Sequence, residues 1–331
     1  MVFFIVVLRA LSACLITNAH YTGIYPTDII ANGGLIGDIL FFAISGYCLF
    51  NIKQTFPKWY GKRLYRIYPP VIFITAIYFI TGSYSFARGN FIWWFVYPTY
   101  YHFVASILLL YIPFYIVAKI KALRERIPLV MLVVALAYVL VYAFAYDKSY
   151  YHIDNVREWM IRFLFFESML LGAYFKKNKE KFENKFRWYV PIIVAITFVL
   201  YFASKLFFTK YSKYSSLQIV NQIIIFALLY FVFWLFASLD EKLVKMPKWI
   251  KSPITFISKI TLEIYVVQYV IIDLIRPVLS FPLNWVAITA SIIVSAYILH
   301  VLCELFYKGI DLIINKIKKS KNLDDKEGKV A

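Results

Sequence analysis

Ten predominantly apolar stretches, each about the 17–25 residues that a bilayer core demands of a helix, follow one another along this chain of 331 residues. They cover residues 2–19, 34–51, 68–83, 98–118, 127–146, 159–175, 188–204, 218–238, 253–272 and 285–306. No other feature restricts the fold so strongly. In hydrocarbon every backbone N–H and C=O must find a partner inside its own segment or inside a closed barrel. Uninterrupted runs of this length therefore predict an all-α integral membrane protein with about ten transmembrane helices. The chain divides into a transmembrane domain over residues 1–308 and a polar tail over 309–331. The first run is read as a span and not as a cleaved signal, because Arg9 interrupts it and no basic region precedes it.

The formal net charge of +18 would suit a nucleic-acid partner if it gathered on one face, but its distribution argues against one. The loops after the even-numbered spans, together with the tail, hold 26 of the 36 Lys and Arg residues, while the alternate loops hold 7. That asymmetry predicts that both termini are cytoplasmic and that the basic loops meet anionic lipid headgroups. No nucleic acid is expected as a partner. Cys14, Cys48 and Cys303 all fall within spans and at no metal-binding or CxxC spacing, so neither a disulfide framework nor a metal site is predicted.

Charges inside the spans carry the chemistry. Arg9 and His20 share the first segment, and eleven residues of helix place them about 16 Å apart on one face. An arginine at membrane depth costs at least about 2.5–3.5 kcal/mol, so it calls for a partner or a ligand. With the N-terminus inside, His20, Asp38, Tyr101, His102 and Gln268 reach the outer half of the bilayer from four different spans, with Glu263 deeper. Level is not proximity, and each residue has a plainer reading. His20 and His102 could be interfacial amphipaths among aromatic neighbours. Asp38, Glu167 and Glu263 could be structural partners of a buried cation. In the loop after the second span, Arg63 and Arg66 lie three apart and face the same way on a helix. Such a fork suits phosphate oxygens, although headgroup contact would use the same residues. Pro69 is expected in the first turn of the third helix.

With these residues in view, the chain resembles the integral-membrane acyltransferase-3 family, whose members move acyl groups, usually acetyl, from cytoplasmic acyl-CoA to sugars. Four elements match in order: the Arg9…His20 spacing, Phe41-Phe42-Ala-Ile-Ser45-Gly46-Tyr47, Arg63-Leu-Tyr-Arg66-Ile-Tyr-Pro69, and Thr261-Leu-Glu-Ile-Tyr265-Val-Val-Gln268. The chain departs from the family where Gln268 replaces a frequent histidine and where no tryptophan follows His102.

The resemblance implies roles for these residues. Arg9, Arg63 and Arg66 would bind acyl-CoA, a co-substrate and not a bound cofactor. His20 would be the general base, with Asp38 orienting the imidazole. Ser45, Tyr101, His102, Glu167, Glu263 and Gln268 are candidates for acceptor contact or channel lining, Ser45-Gly46 serving close helix packing and not nucleophilic attack. The acceptor would be a polysaccharide or lipid-linked sugar at the bacterial cytoplasmic membrane, with glycan-synthesis machinery as a candidate partner. Two other classes stay open: a polysaccharide-precursor transporter or flippase, and an assembly partner without chemistry of its own. The Arg63/Arg66 fork and His20 discriminate, because a flippase has no evident use for them.

Overall fold

The computed structural model describes residues 2–327, and its regular structure there is entirely helical, with no strand among the described residues. In chain order the helices are α1 (Phe3–Ala19), α2 (Gly34–Leu49), α3 (Phe56–Ile80), α4 (His102–Lys119), α5 (Lys121–Glu125), α6 (Ile127–Ala145), α7 (Ile161–Lys177), α8 (Lys179–Phe182), α9 (Tyr189–Lys210), α10 (Ile219–Ser238), α11 (Asp240–Val244), α12 (Lys248–Lys259), α13 (Thr261–Ile275) and α14 (Leu283–Glu327). Each of the ten apolar stretches falls on one of these helices or, for 253–272, on the pair α12 and α13.

Five helices, α4, α6, α9, α10 and the Leu283–Ile313 part of α14, are long and apolar enough to cross a membrane. The bent pair α12–α13 makes a sixth. The count by length and composition is thus five or six, where ten were expected. The difference has a physical cause. α1, α2 and α7 are only 17, 16 and 17 residues long, and charged residues stand in the first half of α3 and at both ends of α7. All four pack against other helices and line cavities.

Two sequence expectations need correction. Pro69 does not open the third helix. α3 starts at Phe56 with a proline in its first turn and runs through Pro69 and Pro70 in its interior. Because Pro70 has no N–H, the Arg66 carbonyl four residues earlier loses its helical partner. The Tyr307 hydroxyl donates to that carbonyl at 3.5 Å, which ties α14 to α3. The expected span 253–272 is broken: α12 and α13 meet at an angle of 74° around Ile260. At the chain's end, α14 continues as helix into the expected polar tail, and residues 328–331 lie outside the described residues.

The tightest packing joins α2 to α7, the most extensive helix pair in the fold. A Cβ on Gly46 would lie 1.9 Å from the Met169 carbonyl oxygen, and one on Gly172 would lie 1.8 Å from that of Ala43. The two glycines therefore let the two backbones, which run in the same direction, touch as small residues do between membrane helices. α1 lies against α2 in a related way: a Cβ on Gly37 would meet the Ser12 carbonyl oxygen at 2.8 Å. Around this trio one continuous core takes in side chains from α3, α4, α10, α13 and α14.

Candidate active site

Two chambers and a neck between them follow the length of α1. The first chamber, about 290 Å³, is lined by Arg9, Ser45, Cys48, Arg63, Arg66 and Lys259, with Glu263, His300 and Glu304 on the same wall. Arg9 comes from α1, Ser45 from α2, and the Arg63/Arg66 fork from α3. The fork lies on a continuous helix and not in a loop, so its two side chains leave the backbone on the same face. Arg63 also sits 5.6 Å from the centre of the Trp59 ring, a cation–π arrangement, and its Nε is buried with no hydrogen-bond partner. The Tyr111 hydroxyl lies beside Ser45 with Arg63 and Arg66 near it, and the Cys48 thiol faces Arg9. An otherwise apolar fold here brings four cations to one concave surface, a form suited to phosphate oxygens.

The second chamber, about 390 Å³, holds His20, Asp38, Tyr100, His102, Tyr265 and Tyr269, together with Asn32, Asp154, Arg157 and Lys205. Asp38, on α2, is 6% exposed and has no hydrogen-bond partner among the described residues. His20 follows the last residue of α1, and its ring meets the Tyr269 ring edge-on at 4.9 Å between centroids. Burial holds the imidazole below its ordinary range, at about 4, so the ring is neutral at pH 7 and able to accept a proton.

The neck has only about 10 Å³ of free space, roughly one water molecule. Its walls are shared. Phe103 lines the neck and both chambers, Phe41 lines the neck and the basic chamber, and Ile16 and Tyr265 line the neck and the His20 chamber. Phe103 packs on Phe41 at 5.0 Å and on Tyr265 at 5.4 Å between ring centroids. Its backbone N–H donates to the Tyr265 hydroxyl at 3.3 Å. The break at Ile260 brings Thr261 and Leu262 to the neck and the basic chamber and leaves Tyr265 one turn further along α13.

The structure thus gathers His20, Asp38 and His102 in one chamber and Arg9, Arg63, Arg66, Ser45 and Glu263 in the other. Three candidates line neither. Tyr101 is fully buried behind Tyr100, with Thr75 and Tyr84 hydroxyls at 3.5 and 3.4 Å. Glu167 on α7 is 6% exposed, and its Oε1 has no partner. Gln268 is fully buried with both amide atoms unpartnered.

Other chamber residues went unnoticed in the sequence. His300 reads there as an ordinary packed helix residue, yet it faces the basic chamber with its Nδ1 2.8 Å from Glu263 Oε1. Lys205 and Asp154 reach the His20 chamber from α9 and from the segment before α7. A usable signal existed for Lys205, which sits in Tyr201-Phe-Ala-Ser-Lys205-Leu-Phe-Phe208, a cation with apolar residues on both sides.

Comparison with known proteins adds one finding. The family model described as an acyltransferase domain matches residues 2–304, nearly the whole chain and all the residues of both chambers except Tyr307. No curated protein and no solved structure matches the chain.

Proposed function

Since the chain belongs to the integral-membrane acyltransferase-3 family, we propose that it transfers an acyl group, acetyl in the first instance, from cytoplasmic acyl-CoA to a hydroxyl of a cell-surface glycan. The chain is a multi-pass membrane acyltransferase, and the bacterial cytoplasmic membrane is the setting this reading gives it. One observation carries the proposal. A basic chamber and an imidazole–carboxylate chamber lie in series along α1, joined by a neck whose aromatic walls belong to both. A donor with phosphates at one end and a thioester at the end of a slender arm matches that series.

In this reading the phosphates of acyl-CoA rest on Arg63 and Arg66, and the arm passes Arg9 into the neck. Phe41, Phe103 and Tyr265 swing aside for it, because the neck has room for no more than a water. In the second chamber His20 takes the proton of the acceptor hydroxyl. The oxygen attacks the thioester carbonyl, the carbon–sulfur bond breaks, and the departing thiolate recovers the proton from the imidazolium. Ester and free coenzyme A result, with no net proton exchanged. Asp38 stabilises the imidazolium while it carries the proton.

The test is transfer of labelled acetyl from acetyl-CoA to a panel of bacterial glycans in membranes containing wild type or His20→Ala. A general base contributes about 10²–10⁴ in rate, so His20→Ala should insert normally and lose nearly all turnover. Retention of more than about a tenth of wild-type activity would remove His20 from this role. Absence of turnover on every glycan, with no acetyl-CoA binding sensitive to Arg63→Ala, would return the chain to the transporter class.

A further inference from the structure

The walls of the His20 chamber come from two sets of elements. α1, α2, α4 and α13, with the segments just before α2 and α4, bring the residues already discussed. α9 and the segment before α7 bring Lys205, Asp154 and Arg157, which have no part in the chemistry proposed above.

Asp154 is held with unusual care. Its carboxylate accepts from the Tyr151 hydroxyl at 2.5 Å, the Tyr201 hydroxyl at 3.1 Å and the Gln222 amide at 2.9 Å. Lys205 Nζ lies 3.5 Å from the same carboxylate. The network extends outward, since Asn221 accepts from Tyr151 and donates to the Tyr201 carbonyl and to the Ser204 hydroxyl. Burial pushes the Asp154 carboxyl above its usual range, against the pull of Lys205 and the two tyrosines. A buried polar network of this size is costly unless nearly every member is satisfied. What it secures is the position of one ammonium at the chamber wall.

That ammonium has capacity left. Lys205 Nζ carries three donors, and its partners among the described residues are Asp154 and the Asn32 Oδ1 at 3.3 Å. The Arg157 guanidinium lines the same chamber with no ion pair or hydrogen bond among the described residues. Arg157 and Arg162 both lie close enough to His102 to impose their field on it. Asp38 and Asp154 are the acidic residues on this wall, and Asp154 is already occupied by four donors. The chamber therefore offers placed positive charge beside the histidine.

We propose that the acceptor carries an anionic substituent, a carboxylate or a phosphate ester, and that Lys205 and Arg157 hold this group while the neighbouring hydroxyl is turned towards His20. This inference rests on the acyltransferase reading and adds the acceptor's chemical class to it. Lys205 and Arg157 are binding residues in this scheme, with Asp154 positioning Lys205.

The test uses the full chain in lipid nanodiscs, with acetyl-CoA and matched acceptor pairs. One pair is a uronic-acid oligosaccharide and its carboxyl-reduced form. The other is a glycerol-phosphate-substituted oligosaccharide and its dephosphorylated form. Lys205→Gln alone leaves a buried carboxylate without its cation and could disturb folding. Asp154→Asn/Lys205→Gln and Arg157→Gln are therefore compared with wild type, Arg157 being exposed and unpaired.

A charge-assisted hydrogen bond should favour the anionic member about ten- to a hundredfold in kcat/KM, through KM. Both variants should shrink that ratio while turnover on the neutral member stays near wild type. The pair showing the preference identifies carboxylate or phosphate as the group recognised. Equal use of both members in both pairs overturns the inference and leaves the acyltransferase reading in place. If no acceptor turns over, direct binding of the same oligosaccharides decides. A preference for the anionic member that Arg157→Gln weakens upholds the anion site even as the transfer reading fails, and equal binding overturns it.

Discussion

Replacing Gly172 with alanine probes the packing that sets the shape of both chambers. The added Cβ would lie 1.8 Å from the Ala43 carbonyl oxygen and 2.8 Å from the Tyr47 nitrogen. Every blocking atom belongs to backbone, so no side-chain rotation relieves the clash. α2 and α7 must separate by roughly 1.5 Å before the contact is ordinary, and overpacking of this kind costs about 1–3 kcal/mol. The functional effect should be larger, because α2 carries Asp38, Phe41 and Ser45 to the chambers. A misplacement of about 1 Å in a reacting constellation can cost about 10² in rate.

Gly46→Ala makes the reciprocal clash, 1.9 Å from the Met169 carbonyl oxygen one turn away. The separation that admits one methyl group admits the other. The double variant should therefore be scarcely worse than either single one, a strong departure from additivity. The assays are coenzyme A release in nanodiscs and the apparent melting temperature in detergent. Gly61→Ala serves as control, since nothing lies within 4 Å of a Cβ there. Each single variant should melt lower and lose about two orders of magnitude in rate, with Gly61→Ala unaffected. Wild-type melting and turnover for Gly172→Ala, or additive losses in the double variant, would refute the backbone-contact reasoning.

The remaining expectations concern the neck, the base and the donor. Phe103→Ala removes a ring that lines both chambers and the neck. Coenzyme A release without an acceptor should rise as water reaches the thioester, and an unchanged background would show that Phe103 is not the seal. Burial lowers the His20 imidazole to about 4, so the neutral, active base is lost only as pH falls towards that value. The acidic limb of kcat/KM against pH should lie below the ordinary imidazole value of about 6.5, and a limb at or above it would count against His20 as the buried base. Arg63→Lys keeps the charge but loses the fork and the fit to Trp59. KM for acetyl-CoA should rise about tenfold with kcat nearly unchanged, and an equal loss in both would place Arg63 at the reacting atoms instead.

Much of the site could be read in the chain because it lies on single helices. Arg9 lies on α1 and His20 caps the end of the same helix, so their spacing alone sets them about 16 Å apart, and each lies in its own chamber. The glycine of Phe-Phe-Ala-Ile-Ser45-Gly46 was legible as a point of close approach, although its partner Gly172 was not. Apolar run length determined the helical class, since hydrocarbon tolerates no other continuous backbone at that length.

Tertiary structure alone decided the rest. Lys205 and Asp154 are 51 positions apart in the chain, and nothing local to either says that they pair. Glu263 and His300 meet across α13 and α14, while Glu167 and Gln268, equally polar in the sequence, line neither chamber. Helical periodicity states which residues share a face, but which faces meet is settled by the packing of whole helices. Here the two interlocked glycines of α2 and α7 and the break at Ile260 made that choice, and with it the positions of the neck and of every charge beside it.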